Sequence, residues 1–139
     1  LSHCMRWLGA CKRAHEIATG YANRRHAFGK VLIDHEGVGF MLAENMIDLK
    51  QCELMIDWCA GVLDAGQPGT AESSMTKAAV SEALMRVADR CVQVMGRFGL
   101  IRNSKIERLY RQARPMRIYE GASEVLRLGI ARELVKEVP

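Results

Sequence analysis

The chain has 139 residues, a formal net charge of +4 and a pI near 8.9, a length that fits one domain able to bury about two thirds of its unfolded surface. That charge is too small for the dense basic face of a duplex-binding module, yet sufficient for an anionic ligand. Hydrophobic residues make up 49% and aromatics only 6%, with eight methionines and three prolines, a profile of packed helices rather than sheet.

The pattern predicts a first long helix from residue 1 to about 27, with apolar positions at Met5, Leu8, Cys11, Ile17, Ala18 and Tyr21. Phe28-Gly29-Lys30 marks its end, where a glycine takes the left-handed cap. Asp34 is the expected N-cap of a second helix, whose apolar side is read as Val38, Met41, Ala43, Met46, Ile47, Leu49, Leu54, Met55, Trp58, Val62 and Leu63. Gly66-Gln67-Pro68-Gly69 is a turn. Thr70 or Ser73 is expected to cap a third helix whose apolar face runs through Met75, Ala78, Ala79, Ala83, Leu84, Val87, Cys91, Val94 and Met95 and which stops in Gly96-Arg97-Phe98-Gly99.

Ser104-Lys105-Ile106-Glu107 is a capping box that opens a short helix to about Ala113, before Pro115 forbids continuation. A last helix from about Ala122 to Lys136 is expected to bury Val125, Leu126, Leu128, Ile130, Leu134 and Val135. Nothing alternates with period two over a useful length. The predicted fold is all-α, an antiparallel up-and-down bundle of three long and two shorter helices in a single domain, residues 1–139. The opening at Leu1, straight into a helical pattern, leads to the expectation of a C-terminal fragment.

Cys4, Cys11, Cys52, Cys59 and Cys91 lie inside apolar helical stretches without a Cys-x-x-Cys, as expected of reduced core residues in an intracellular protein. No apolar run reaches the roughly 18 to 20 residues that span a bilayer. A di-metal centre in a bundle needs Glu-x-x-His pairs, and His3, His15, His26 and His35 have no partner at ligand spacing, so no metal site is expected. Nucleophile and phosphate-loop signatures are missing as well.

Three spots remain. Arg24-Arg25, read in the last turn of the first helix, complement its dipole or meet an anion. The ladder Arg108, Arg111, Arg114 and Arg117 is a solvated face pairing with Glu107 or Glu120, or an anion site. Gln93 and Gly96 stand at a glycine-rich helix end that a ligand can approach closely. Between them in interest is Glu120, in Ile118-Tyr119-Glu120-Gly121. If half-buried there it has a raised proton affinity and serves as a base; otherwise it caps the next helix.

Together these spots resemble the C-terminal helical domain of the acyl-CoA dehydrogenases. Arg25-His26-Ala27-Phe28-Gly29 resembles the family's Arg-x-x-Phe-Gly element, and Gln93 to Gly99 its Gln-x-x-Gly-Gly-x-Gly turn. Glu107 to Arg114 resembles its glutamate-arginine helix, and Tyr119-Glu120-Gly121-Ala122-Ser123-Glu124 its Tyr-Glu-Gly-Thr-Ser-Glu segment. The four occur in the family's order and span the chain.

The resemblance implies FAD-dependent α,β-dehydrogenation of an acyl-CoA thioester to a 2-enoyl-CoA. Glu120 falls at the family's base, Gly121 beside it at the substrate, and Arg25, Phe28, Gln93 and Gly96 where the family contacts FAD, partly across a subunit interface. It further implies an electron-transfer flavoprotein or oxygen as acceptor, a homodimer or homotetramer, little activity for this chain alone, and a location in the bacterial cytoplasm or the mitochondrial matrix. Ala27, Ala122, Arg97, Glu36 and Gln112 depart from the usual residues and point to an atypical branch. Acyl-CoA oxidase is the alternative within this chemistry, and a non-catalytic helical scaffold the alternative outside it.

Overall fold

The computed structural model describes residues 1–137. The first helix, α1 (Ser2–Ala22), buries Cys4, Trp7, Leu8, Cys11, Ala14, Ala18 and Ala22, a stripe at three- and four-residue spacing. It ends at Ala22 rather than near residue 27. A short hairpin follows, β1 (His26–Ala27) against β2 (Lys30–Val31), antiparallel with Ala27 opposite Lys30. Its two turn residues, Phe28 and Gly29, both have positive φ, 51° and 83°, the twist that two-residue hairpins favour. Strands of two residues leave no alternation for sequence reading to detect. Arg25 therefore sits at the edge of a hairpin and not in a helical turn.

Helix α2 (Glu36–Asp64) follows a 3-10 turn over Leu32–Asp34, which takes up the aspartate expected as N-cap; His35 occupies that position without a side-chain cap. The cap of α3 (Thr70–Met95) is Gly69 in the left-handed conformation, so neither Thr70 nor Ser73 serves. The capping box of α5 (Lys105–Ala113) is present in shifted form: Glu107 N–H donates to Ser104 Oγ at 3.2 Å, while the Glu107 carboxylate accepts from Asn103 N–H at 3.1 Å. Between α3 and α5 the glycine-rich turn holds one more short helix, α4 (Arg97–Leu100). A 3-10 turn over Arg114–Arg117 leads to α6 (Ser123–Glu137).

Side-chain contacts fix the directions of the helices. Cys59 meets Ser73, Thr76 Oγ1 donates to the Met55 carbonyl, and Asn45 meets Cys91, so α2 runs antiparallel to α3. Cys11 Sγ donates to the Leu84 carbonyl and Tyr21 packs on Phe98, so α1 lies parallel to α3. The result is the up-and-down bundle expected, with α3 at its centre: Val80, Leu84, Val87 and Cys91 are wholly enclosed. All five cysteines are buried and free, and burial pushes Cys11, Cys52 and Cys91 up to about 12.

The core also encloses Asn45 and Asp48. Arg86 grips Asp48 with Nε at 3.2 Å and Nη2 at 2.6 Å, and Arg90 Nη1 adds a third bond at 2.7 Å. Burial raises the proton affinity of Asp48, but the bonds from Arg86 and Arg90 outweigh it and hold the carboxyl below its ordinary value.

Two expected faces differ. Of the apolar side read for α2, only Leu49 is fully buried, while Met46, Ile47, Leu54, Trp58 and Leu63 are exposed together with Phe40. The helix has two apolar stripes, and one bundle can cover only one of them. Helix α6 packs against α3 and leaves Val125, Leu128, Leu134 and Val135 in solvent. Among the described residues, no helix is long and apolar enough to cross a membrane, and no cluster of His, Cys, Asp and Glu gathers as a metal site requires.

Candidate functional site

The sequence-derived candidates fall at two opposite ends of the bundle. At one end, the last turn of α3 and the hairpin after α1 lie side by side, joined by the Tyr21–Phe98 ring contact with centroids 5.8 Å apart. Arg25, Gln93 and Gly96 are all exposed here, and Phe28 is 96% exposed. Gly96 has φ 55° with open space where a Cβ would stand. The intimate backbone approach is instead at Gly99, whose added Cβ would meet the Val92 carbonyl at 2.8 Å. The Arg97 guanidinium lies over the Phe98 ring, 4.8 Å from its centroid. The Arg25 side chain makes no ion pair among the described residues. An exposed ring, an unpaired guanidinium and an open glycine at a helix end fit an anionic, planar group approaching from outside the bundle.

At the other end stands the segment 118–122. Glu120 has φ 57° and Gly121 φ 93°. A left-handed glutamate costs about 1–2 kcal/mol, so the surroundings must hold it. Three side chains of the bundle do this. Lys77 Nζ donates to the Gly121 carbonyl at 2.6 Å. Glu82 Oε1 accepts from Arg117 Nε and from Ser123 Oγ, each at 2.9 Å, and Trp7 Nε1 donates to the Tyr119 hydroxyl at 3.1 Å. Glycine is needed at 121 for its φ and because a Cβ would come within 3.0 Å of Leu126 Cδ2.

Glu120 itself is not half-buried: its side chain is 57% exposed, with Oε1 4.0 Å from His3 Nδ1. The bundle alone therefore does not desolvate it. Nor does Glu120 pair with the arginine ladder, since Arg111 pairs with Glu107 and Arg117 with Glu82. Beside Glu120 lies an aromatic wall of His3, Trp7 and Tyr119, with Trp7 and Tyr119 edge to face at 5.5 Å between centroids. Glu82 stays below its ordinary proton affinity; burial raises it, and the bonds from Ser123 and Arg117 prevail.

Lys77, Glu82 and Trp7 were not singled out by sequence reading, and His3 was considered there only as a metal ligand without a partner. A signal existed for one of them. Lys77 interrupts a stripe in which Thr76, Ala78, Val80 and Ser81 are all buried, and a lysine at such a position needs an internal partner. The two ends are far apart: Lys77 and Gln93 stand about 24 Å from each other along α3 at the helical rise.

Comparison with known proteins adds a family. The family model described as "Acyl-CoA dehydrogenase, C-terminal domain" matches residues 1–135. The short-chain specific acyl-CoA dehydrogenase of rat mitochondria is 38% identical over 130 residues, 93% of this chain and 31% of the rat protein. Subunit CarC of the caffeyl-CoA reductase–Etf complex of Acetobacterium woodii is 34% identical over 130 residues, 94% of this chain and 34% of that protein. The solved FAD complex of PigA superposes with a TM-score of 0.88 at 26% identity, covering 93% of this chain and 34% of PigA. The chain thus spans about a third of the length of the curated relatives it matches.

Proposed function

Because the chain belongs to the family of acyl-CoA dehydrogenase C-terminal domains, we propose that it serves a longer FAD-dependent flavoenzyme as one wall of its active site. The reaction is the conversion of an acyl-CoA thioester to a 2-enoyl-CoA, with Glu120 as the base that takes the α-proton. The observation that carries this reading is the strained, well-anchored and solvent-facing Glu120, with φ 57°, beside the apolar wall of Trp7 and Tyr119. Strain of this kind persists where the surroundings over-determine it, and it clusters at functional sites.

The Glu120 carboxylate receives the α-proton. The peptide N–H of Glu120 donates to the thioester carbonyl, where negative charge develops as that proton leaves. Gly121, whose carbonyl is engaged by Lys77, holds this N–H in direction and admits the thioester without a side chain. When bound, FAD supplies the acceptor for the β-hydrogen, which departs with its electron pair. Parts of the enzyme outside this bundle exclude water from Glu120, since its own domain leaves it exposed.

Arg25, Phe28, Gln93 and Gly96 fit the flavin cofactor: the guanidinium on the pyrophosphate, the others against its planar and polar parts. With about 24 Å of α3 between this end and the Lys77 end, the two sets of residues serve different copies of the site in a homo-oligomer. The exposed stripe of Phe40, Met46, Ile47, Leu54 and Trp58 on α2 supports assembly, since contiguous apolar surface marks interfaces. An electron-transfer flavoprotein is the proposed redox partner, as the Etf complex in the name of the CarC relative suggests; oxygen as acceptor defines the oxidase alternative. CarC's name also carries the reductive direction, in which Glu120 returns a proton to the α-carbon. The bacterial cytoplasm or the mitochondrial matrix is the proposed location, in line with the mitochondrial rat relative.

The test is Glu120→Gln in the full-length flavoenzyme. Enoyl-CoA formation is lost while FAD stays bound; unchanged turnover rejects the base. The fate of electrons under oxygen against an electron-transfer flavoprotein separates dehydrogenase from oxidase, and a scaffold without catalysis shows neither.

A further inference from the structure

Lys77 is only 8% exposed, on the central helix of the bundle, and its Nζ donates to the Gly121 carbonyl at 2.6 Å. Its Nζ also lies over the Trp7 ring, 6.0 Å from the centroid. A lysine drawn inward in this way loses hydration, and the compensation is a short, charge-assisted bond. The recipient is the second of two consecutive residues with positive φ, Glu120 at 57° and Gly121 at 93°. The other anchors of the segment hold its flanks: Glu82 grips Arg117 and Ser123, and Trp7 grips Tyr119. Among the described residues, Lys77 is the side chain that hydrogen-bonds the backbone of the left-handed pair itself.

We propose that Lys77 is a positioning residue for the reaction assigned to Glu120, its ammonium fixing the Gly121 carbonyl and through it the direction of the Glu120 carboxylate and peptide N–H. The proposal rests on the reading of Glu120 as the base. Without Lys77, the Glu120-Gly121 pair relaxes toward conformations that suit glutamate better, and both the base and the N–H swing off target.

Lys77 also contributes its charge. The ionisable groups around Lys77 are Cys4 from α1, Glu82 from α3, Glu120 from the segment before α6 and Glu124 from α6; Glu120 also faces His3, and Glu82 pairs with Arg117. Burial lowers the proton affinity of Lys77, while Cys4, Glu82, Glu120 and Glu124 pull it back up. A charged donor holds the Gly121 carbonyl more strongly than a neutral one would.

The experiment compares Lys77→Met, Lys77→Gln and Glu120→Gln in the full-length flavoenzyme, by FAD content, KM and kcat. Lys77→Met retains FAD and a near-normal KM and loses about 10- to 100-fold in kcat. Lys77→Gln, which keeps a donor but no charge, loses less; its kcat decides the matter if the methionine variant does not fold. A normal kcat in a folded Lys77 variant overturns the proposal. So does a loss of kcat accompanied by loss of FAD and a raised KM, which marks a merely structural role. An active Glu120→Gln variant removes the base assignment itself, whereas an inactive one beside unaltered Lys77 variants removes only this inference.

Discussion

The indole N–H of Trp7 donates to the hydroxyl of Tyr119 at 3.1 Å across 112 residues of chain, tying the first helix to the segment that carries Glu120. Trp7 is 6% exposed and Tyr119 40%, so one end of the bond is enclosed and the other wet. Tyr119→Phe leaves the buried indole N–H without its partner and is expected to lower stability by about 1 kcal/mol. Trp7→Phe removes the donor together with part of a buried ring and lowers it further. Urea unfolding of the two single variants and the double variant measures the coupling; additive losses would show that the bond contributes nothing.

The Asp48 cluster sets the acid limit of the bundle. Asp48 is ionised in the fold below the pH at which it would be in the unfolded chain, so the stability it contributes is fully present above the unfolded value and is lost as pH falls through the folded one. The native chain therefore loses stability below about pH 4, and Asp48→Asn flattens that decline. At neutral pH the same variant is less stable by about 2–3 kcal/mol, at the low end for a broken buried pair because the Arg86 side chain is 52% exposed. Thermal unfolding from pH 2 to 7 provides the comparison.

The bundle architecture was legible because α1, α3 and α5 each carry one apolar stripe at helical spacing, and because Ser104 and Glu107 form a local capping pattern. The strand pair was not, since its register rests on Phe28 and Gly29 adopting positive φ rather than on any alternation. Asp34 failed as a cap because a 3-10 turn takes it first. Several apolar residues of α2 and α6 are solvent-exposed in this chain, and a single chain's pattern cannot tell core from interface. For the candidate site, motif order singled out Glu120, Arg25, Gln93 and Gly96. It could not supply Lys77 or Glu82, whose importance lies in contacts with the segments 44 and 41 residues downstream, nor the exposure of Glu120.

Three glycines separate backbone entropy from packing. Gly9 and Gly61 lie inside α1 and α2 with open space where a Cβ would stand. Gly9→Ala and Gly61→Ala are each expected to stabilise the bundle by about 0.5–1 kcal/mol. Gly99→Ala forces a Cβ to within 2.8 Å of the Val92 carbonyl and 3.0 Å of its Cα. It should destabilise by about 1–3 kcal/mol. Melting temperatures moving in opposite directions check the contrast, and equal shifts would contradict it.

Glu120 offers a direct trade of stability against chemistry. Glycine takes positive φ at no steric cost, so Glu120→Gly relieves strain of about 1–2 kcal/mol and is expected to hold or raise the melting temperature of the bundle. The same variant has no carboxylate and forms no enoyl-CoA in the full-length flavoenzyme. A clear drop in stability would show that Glu120 is seated comfortably after all.

The distance between the two ends of α3 carries a genetic consequence. When the base of one copy works with the cofactor contacts of another, a lesion at Arg25 and a lesion at Glu120 injure different sites in a mixed assembly. Coexpressed, two inactive alleles of this kind restore a fraction of sites in which both requirements are met, whereas two alleles damaged at the same end restore none. Complementation between paired mutants thus maps, without any structure of the assembly, which residues of the bundle belong to its own site and which it lends to a neighbour.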